Sequence, residues 1–133
     1  MRRPILKSIL ICDQIIEDIV TRKKTLVGVF ERLISPTFPI HHGNLGVFFQ
    51  IVDAEGEYNF SLELADVENN ITMGVAHLPT AKVESPVQVS NFALMFQGLR
   101  FEHPGVHEFR LWVGNELIGQ HALNVLQVDK ETQ

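Results

Sequence analysis

Two runs of period-two alternation around a short polar segment constrain this chain more than any other feature. From Tyr58 to Leu64 every even position is apolar and every odd one polar, which sets one face of an extended strand on a core and leaves the other in water. The run before it, Leu45 to Val52, places Leu45, Val47, Phe49 and Ile51 on one face. Between the two, Asp53-Ala-Glu-Gly-Glu57 supplies the polar residues and glycine of a hairpin loop. The expectation is an antiparallel hairpin inside an all-β fold.

The remaining segments repeat this rhythm. Ile5 to Ile11 and Ile15 to Val20 are rich in β-branched residues, and Thr21 to Lys24 separates them from a further strand over Thr25 to Ile34. Ile15, Ile16, Ile19 and Val20 also fit helical spacing, so a short helix over Cys12 to Val20 stays open as the rival of a strand hairpin. Ser35 to Pro39, with His41 to Asn44, forms the longest irregular crossing and is expected to change sheets, because its two prolines cannot donate to a central ladder. Later strands are expected over Ile71–Leu78, Val87–Phe101, Val106–Val113 and His121–Val128, with proline or glycine between them. The sum is a two-sheet antiparallel β-sandwich, Ig-like or related, of about eight strands. Residues 1–128 read as one domain and residues 129–133 as a loose tail, with no linker or repeat.

Charge and cysteine usage narrow the function classes. A chain of 133 residues with eleven Lys and Arg against sixteen Asp and Glu has a formal charge of −5, the wrong sign for neutralising phosphates, so no nucleic-acid partner is expected. Cys12 is the only cysteine, which forbids an intrachain disulfide and fits a reducing cytoplasm. Arg2 and Arg3 ahead of Ile5–Cys12 imitate a signal peptide, but Lys7 and Ser8 interrupt the apolar run and Asp13 follows it, so the segment reads as a strand. No apolar stretch approaches the roughly eighteen residues that cross a bilayer, and no membrane partner is expected.

Residues that could carry chemistry do not form a recognisable site. His103 and His107 flank Pro104-Gly105, a pairing that suggests cupin ligands, yet the glycine and proline break any helical spacing, and His41 and His42 are adjacent rather than alternating. His107 is expected at the rim of the face that carries Phe109, Leu111 and Val113. Asp53, Glu55 and Glu57 belong to one turn and Asp66 and Glu68 to the opposite end of the returning strand, too far apart to share a calcium ion. Cys12 sits among apolar neighbours, no serine lies in a nucleophile elbow, and the glycines build no phosphate loop. Arg22-Lys-Lys24 reads as a solvated turn. No catalytic residue, metal or cofactor is expected.

One face does suggest a surface for binding. If the odd positions of Val106–Val113 point to the core, Glu108, Arg110 and Trp112 stand together on the other side, where the tryptophan needs cover from its own chain or from a partner. Phe48 and Val52 also lie opposite the assumed core face of their strand. These residues favour a non-enzymatic binding or assembly module, acting by self-association or on another protein. A small-ligand module, for carbohydrate with Trp112 or Tyr58 as stacking platform, and a cupin-like metal-dependent enzyme are the alternatives.

Three blocks carry a family resemblance: Ile11-Cys-Asp-Gln-Ile-Ile-Glu17, Thr25-Leu-Val-Gly-Val-Phe30 with Phe38-Pro39, and Gly105-Val-His-Glu-Phe-Arg-Leu-Trp-Val113. With them the chain resembles, over most of its length, a small uncharacterised bacterial β-sandwich domain family. His107 stands where an aromatic is more usual in the last block. The resemblance implies the fold and brings no activity to transfer.

Overall fold

Alternation is realised as strands throughout: a computed structural model describes residues 2–129, and these contain eleven strands and no helix. In chain order they are β1 (Ile5–Glu17), β2 (Lys24–Val29), β3 (Arg32–Ser35), β4 (Ile40–Val52), β5 (Gly56–Tyr58), β6 (Phe60–Asp66), β7 (Ile71–His77), β8 (Ala81–Val83), β9 (Ser90–Phe101), β10 (Gly105–Val113) and β11 (Glu116–Gln127). One sheet has the order β2-β1-β4-β9, a second β3-β11-β10-β6-β7, and β5 with β8 makes a small third. The expectation of about eight strands in two sheets is therefore corrected. The strand expected over Thr25–Ile34 is broken into β2 and β3, and β5 and β8 are three residues long, too short for alternation to announce. The expectation of purely antiparallel pairing is corrected as well, since β3 runs parallel to β11 in the register Asn124↔Arg32 to Gln127↔Ser35. The expected tail lies, beyond Asp129, outside the described residues.

Both larger sheets contribute to one buried cluster, Ile11, Leu45, Val47, Phe49 and Ile51 from the first and Phe60, Leu62, Leu64, Phe109, Leu111, Leu123 and Val125 from the second. Aromatic rings bridge them: Phe49 meets Phe60 edge-on at 6.2 Å, and Phe96 meets Phe109 at 5.6 Å. Burial of this apolar surface is the main stabilising force.

The hairpin expected from Leu45 to Leu64 does not form. β4 is flanked by β1 and β9 and β6 by β10 and β7, so the segment between them crosses from sheet to sheet as an arch. Alternation fixes which side a strand buries and not which strand lies beside it, and here the two apolar faces look at each other across the core. Asp53 and Gly56 take positive φ, 54° and 128°, to make the crossing. Tyr58 locks it, its hydroxyl donating to the Arg2 carbonyl at 2.6 Å and accepting the Glu55 N–H at 2.9 Å.

The hairpin expected nearer the N-terminus does form, from β1 and β2, with Ile16↔Thr25 and Glu17↔Lys24 closing its end. β1 stays extended through Glu17, which excludes the helix over residues 12–20. β1 pairs with β4 only as far as Cys12↔Gly46. Beyond that point the hairpin lies over the outer face of the first sheet. Ile15, Met95 and Cys12 converge on Gly46, where a Cβ would meet them at 3.0 to 3.1 Å, and Thr21–Lys24 border one cleft with Phe48 and Asn91. Phe48 and Cys12, both opposite the core face, gain their cover in this way. The expected change of sheets after Ser35 also occurs, but the irregular part is limited to residues 36–39, because His41–Asn44 already belong to β4.

Candidate functional site

Alternation in β10 puts His107, Phe109 and Leu111 into the core, all buried, and turns Glu108, Arg110 and Trp112 to the outer face of the five-stranded sheet, each half-buried. The three stand together, and their polar groups are engaged. Arg110 Nε donates to Glu108 Oε1 at 3.0 Å, and the indole N–H of Trp112 donates to Glu63 Oε1 on β6 at 3.0 Å. Glu63 Oε2 accepts the Thr72 hydroxyl of β7 at 2.6 Å. Register places Leu117 directly beside Trp112 and Val75 beside Glu63, and both are exposed. The face therefore combines one large ring, flanking aliphatics, the Arg110–Glu108 ion pair and a second carboxylate, Glu63, held by two neutral donors. Sequence reasoning missed Glu63, which looked like a solvated position of the cleanest alternation; its partner became visible only through the β6–β10 register, Ser61↔Trp112 and Glu63↔Arg110.

His107 is a correction. Expected at a rim, it is 1% exposed, with Nδ1 3.1 Å from the Gly105 carbonyl, so that nitrogen carries the proton, and its ring stands edge-on to Phe101 at 5.1 Å. Nε2 faces Asp66 Oδ2 at 3.9 Å, and Asp66 is itself 5% exposed. Burial works to raise the Asp66 carboxyl, but the side-chain amide and backbone N–H of Asn69, then His107 and His103, outweigh it and hold the carboxyl below its ordinary value. The pair lies at one register position of neighbouring strands, His107 on β10 opposite Asp66 on β6.

A second His–carboxylate approach is more open. His42 Nε2 lies 3.8 Å from Asp13 Oδ1 without a hydrogen-bond partner, beside a shallow polar cleft bordered by Gln14, Asn44, Met95 and Gln97. Cys12, one residue from Asp13, is fully buried, and that burial pushes its thiol up, away from the reactive thiolate. Tyr58 is buried and cannot stack on a sugar, which corrects its candidacy as a platform. Among the described residues, no three of His, Cys, Asp and Glu are grouped so as to hold a metal ion.

A family model described as a family of unknown function (DUF6941) matches residues 7–126, and the chain belongs to that family. No curated protein matches the chain.

Proposed function

We propose, from the premise of a family to which no activity is attached, that this protein is a non-enzymatic binding or assembly module. In this reading the paired larger sheets serve as a sandwich-type scaffold, and the outer face around Glu108, Arg110 and Trp112 engages another protein or a second copy of the chain. The observation that carries the reading is Trp112: its only polar atom is satisfied within the chain, yet the ring remains half-exposed between Leu117 and the Glu108–Arg110 pair. A Trp beside an Arg on a sheet face, with its indole N–H already bonded to Glu63, suits the anchor of an interface. The lone buried Cys12 suits a reducing, cytoplasmic setting.

Sedimentation and partner capture test this with two variants. Trp112→Ala lowers the solution mass of the assembly or removes the captured partner, whereas Trp112→Phe, which keeps the ring and loses the N–H, retains both in large part. Unchanged mass and unchanged partners in Trp112→Ala, with the fold intact, refute the reading. The polar cleft at Gln14, Asn44 and Gln97 favours, as the second reading, a small polar ligand such as a carbohydrate. Chemical shifts of those amides, moved by a sugar while Trp112 is unaffected, support that reading instead.

A further inference from the structure

The hairpin of β1 and β2 turns its apolar side outward. Ile15, Glu17 and Lys24 border the cleft it shares with β9, so the opposite alternating set, Ile16, Val27 and Val29, faces solvent, and all three are exposed. At the tip Ile19 and Val20 are 75% and 88% exposed. The turn that presents them is well built. Asp18 Oδ1 accepts the N–H groups of Val20 at 2.8 Å and Thr21 at 2.9 Å, Asp18 N–H donates to the Lys23 carbonyl, and Arg22 adopts φ 63°. Two β-branched aliphatics are thus held in water by a fixed turn rather than by slack chain.

Cations follow at once. Arg22, Lys23 and Lys24 are consecutive, and no acid occurs from Ile19 to Phe30, the reverse of a chain whose formal charge is −5. Arg22 lies 3.9 Å from Glu17 with its guanidinium largely exposed, a weak and exchangeable contact, whereas Lys24 is mostly covered and donates to the same carboxylate at 3.5 Å. A second loop adds to the same end: Val87 is 89% exposed in a turn closed by Ser85, a few residues before Asn91, which borders the cleft with Thr21–Lys24.

We propose that this end of the molecule is a peripheral docking tip for an anionic lipid bilayer, with Ile19 and Val20 seated among the acyl chains and the exposed Arg22 and Lys23 at the lipid phosphates. The exposed aliphatics of the hairpin are five, Ile16, Ile19, Val20, Val27 and Val29, against the roughly 20 to 30 residues a side of a stable protein interface. A bilayer accepts a small apolar wedge when cations stand beside it, and the combination of both signals makes the contact stable. No helix among the described residues can cross a membrane, and seating at the surface needs none. The proposal is independent of the Trp112 face, which lies on the other sheet.

Vesicle flotation tests it, using phosphatidylcholine alone and phosphatidylcholine mixed with phosphatidylserine. The full chain floats with the mixed vesicles and not with the neutral ones. Ile19→Ser combined with Val20→Ser lowers the partition about ten-fold or more, Lys23→Ala lowers it about five-fold, and Val87→Ser, in the neighbouring loop, lowers it further. Because these side chains are exposed, thermal melts of the variants match the parent, and Val87→Ser serves alone if the double variant does not fold. Absence of flotation, equal flotation on neutral vesicles, or loss with the lysine variant but not with the aliphatic ones overturns the proposal; the last pattern marks simple attraction to any polyanion. A fall in solution mass of the aliphatic variant without any change in flotation overturns it in favour of a protein interface.

Discussion

Trp112 on β10 donates its indole N–H to Glu63 on β6 at 3.0 Å, and the other oxygen of the same carboxylate takes the Thr72 hydroxyl of β7 at 2.6 Å. One side chain therefore ties three neighbouring strands on the solvent side of the sheet. Combining Glu63→Ala with Trp112→Phe in a double-mutant cycle should give a coupling of about 1 kcal/mol, below the usual range for a bond to a charged group because both partners are partly hydrated. Additive single losses would remove the tie.

The core assignment carries a larger effect. Leu62 is fully buried in the cluster shared by the two sheets, so Leu62→Ala is expected to cost about 2 to 5 kcal/mol. Glu55→Ala, in the exposed arch, should stay within about 0.5 kcal/mol. Urea melts of both variants distinguish them, and similar small losses would contradict the packing described.

Asp66 makes stability depend on pH in a defined direction. Its folded carboxyl is held below the ordinary aspartate value despite burial, through Asn69 and then His107 and His103. Sign follows from linkage: the unfolded chain takes up the proton first, so the contribution is present above the unfolded value of about 3.9 and is lost as pH falls through the folded one. Asp66→Asn should flatten the acid limb of a stability–pH profile measured below about pH 5. An acid limb of unchanged slope would mean that other carboxylates carry it.

Cys12 gives a kinetic readout of the hairpin. Buried beneath it with a raised thiol, the residue should react with a disulfide reagent orders of magnitude more slowly in the native protein than in denaturant. Gly46→Ala places a methyl against Ile15, Met95 and the Cys12 sulfur and should speed labelling by loosening the overlay without unfolding the sheet. Labelling of the native protein as fast as of the denatured one would argue against the overlay.

What the sequence made legible was the burial side of β4, β6 and β10. Phe49, Phe60, Leu62, Phe109 and Leu111 all face the core as their spacing requires, and Trp112 stands opposite them. Pairing was not legible. The stretch from Leu45 to Leu64 has every local sign of a hairpin, and only the competing partners β1, β9, β10 and β7 reveal that its loop crosses between sheets. The same limitation hid Glu63 as the partner of Trp112, and it hid the burial of His107, whose polar ring is accommodated by a carbonyl two residues away. Ile19 and Val20 read as the end of a strand because β-branched residues prefer one; their position in a turn depends on hydrogen bonds to Asp18 that no hydropathy pattern encodes.

Because β11 sits between β3 and β10, the strand at residues 32–35 has no sheet partner until residues 124–127 have emerged during synthesis. An early segment thus waits on a late one, and the second sheet closes in a single late step rather than growing from the first strands onward. Such long-range closure is slow compared with local pairing. A ribosome-bound chain halted before Glu116 would hold the β1–β2 hairpin but leave β10 and β3 with open edges, the moment at which a holding chaperone would matter most to this protein.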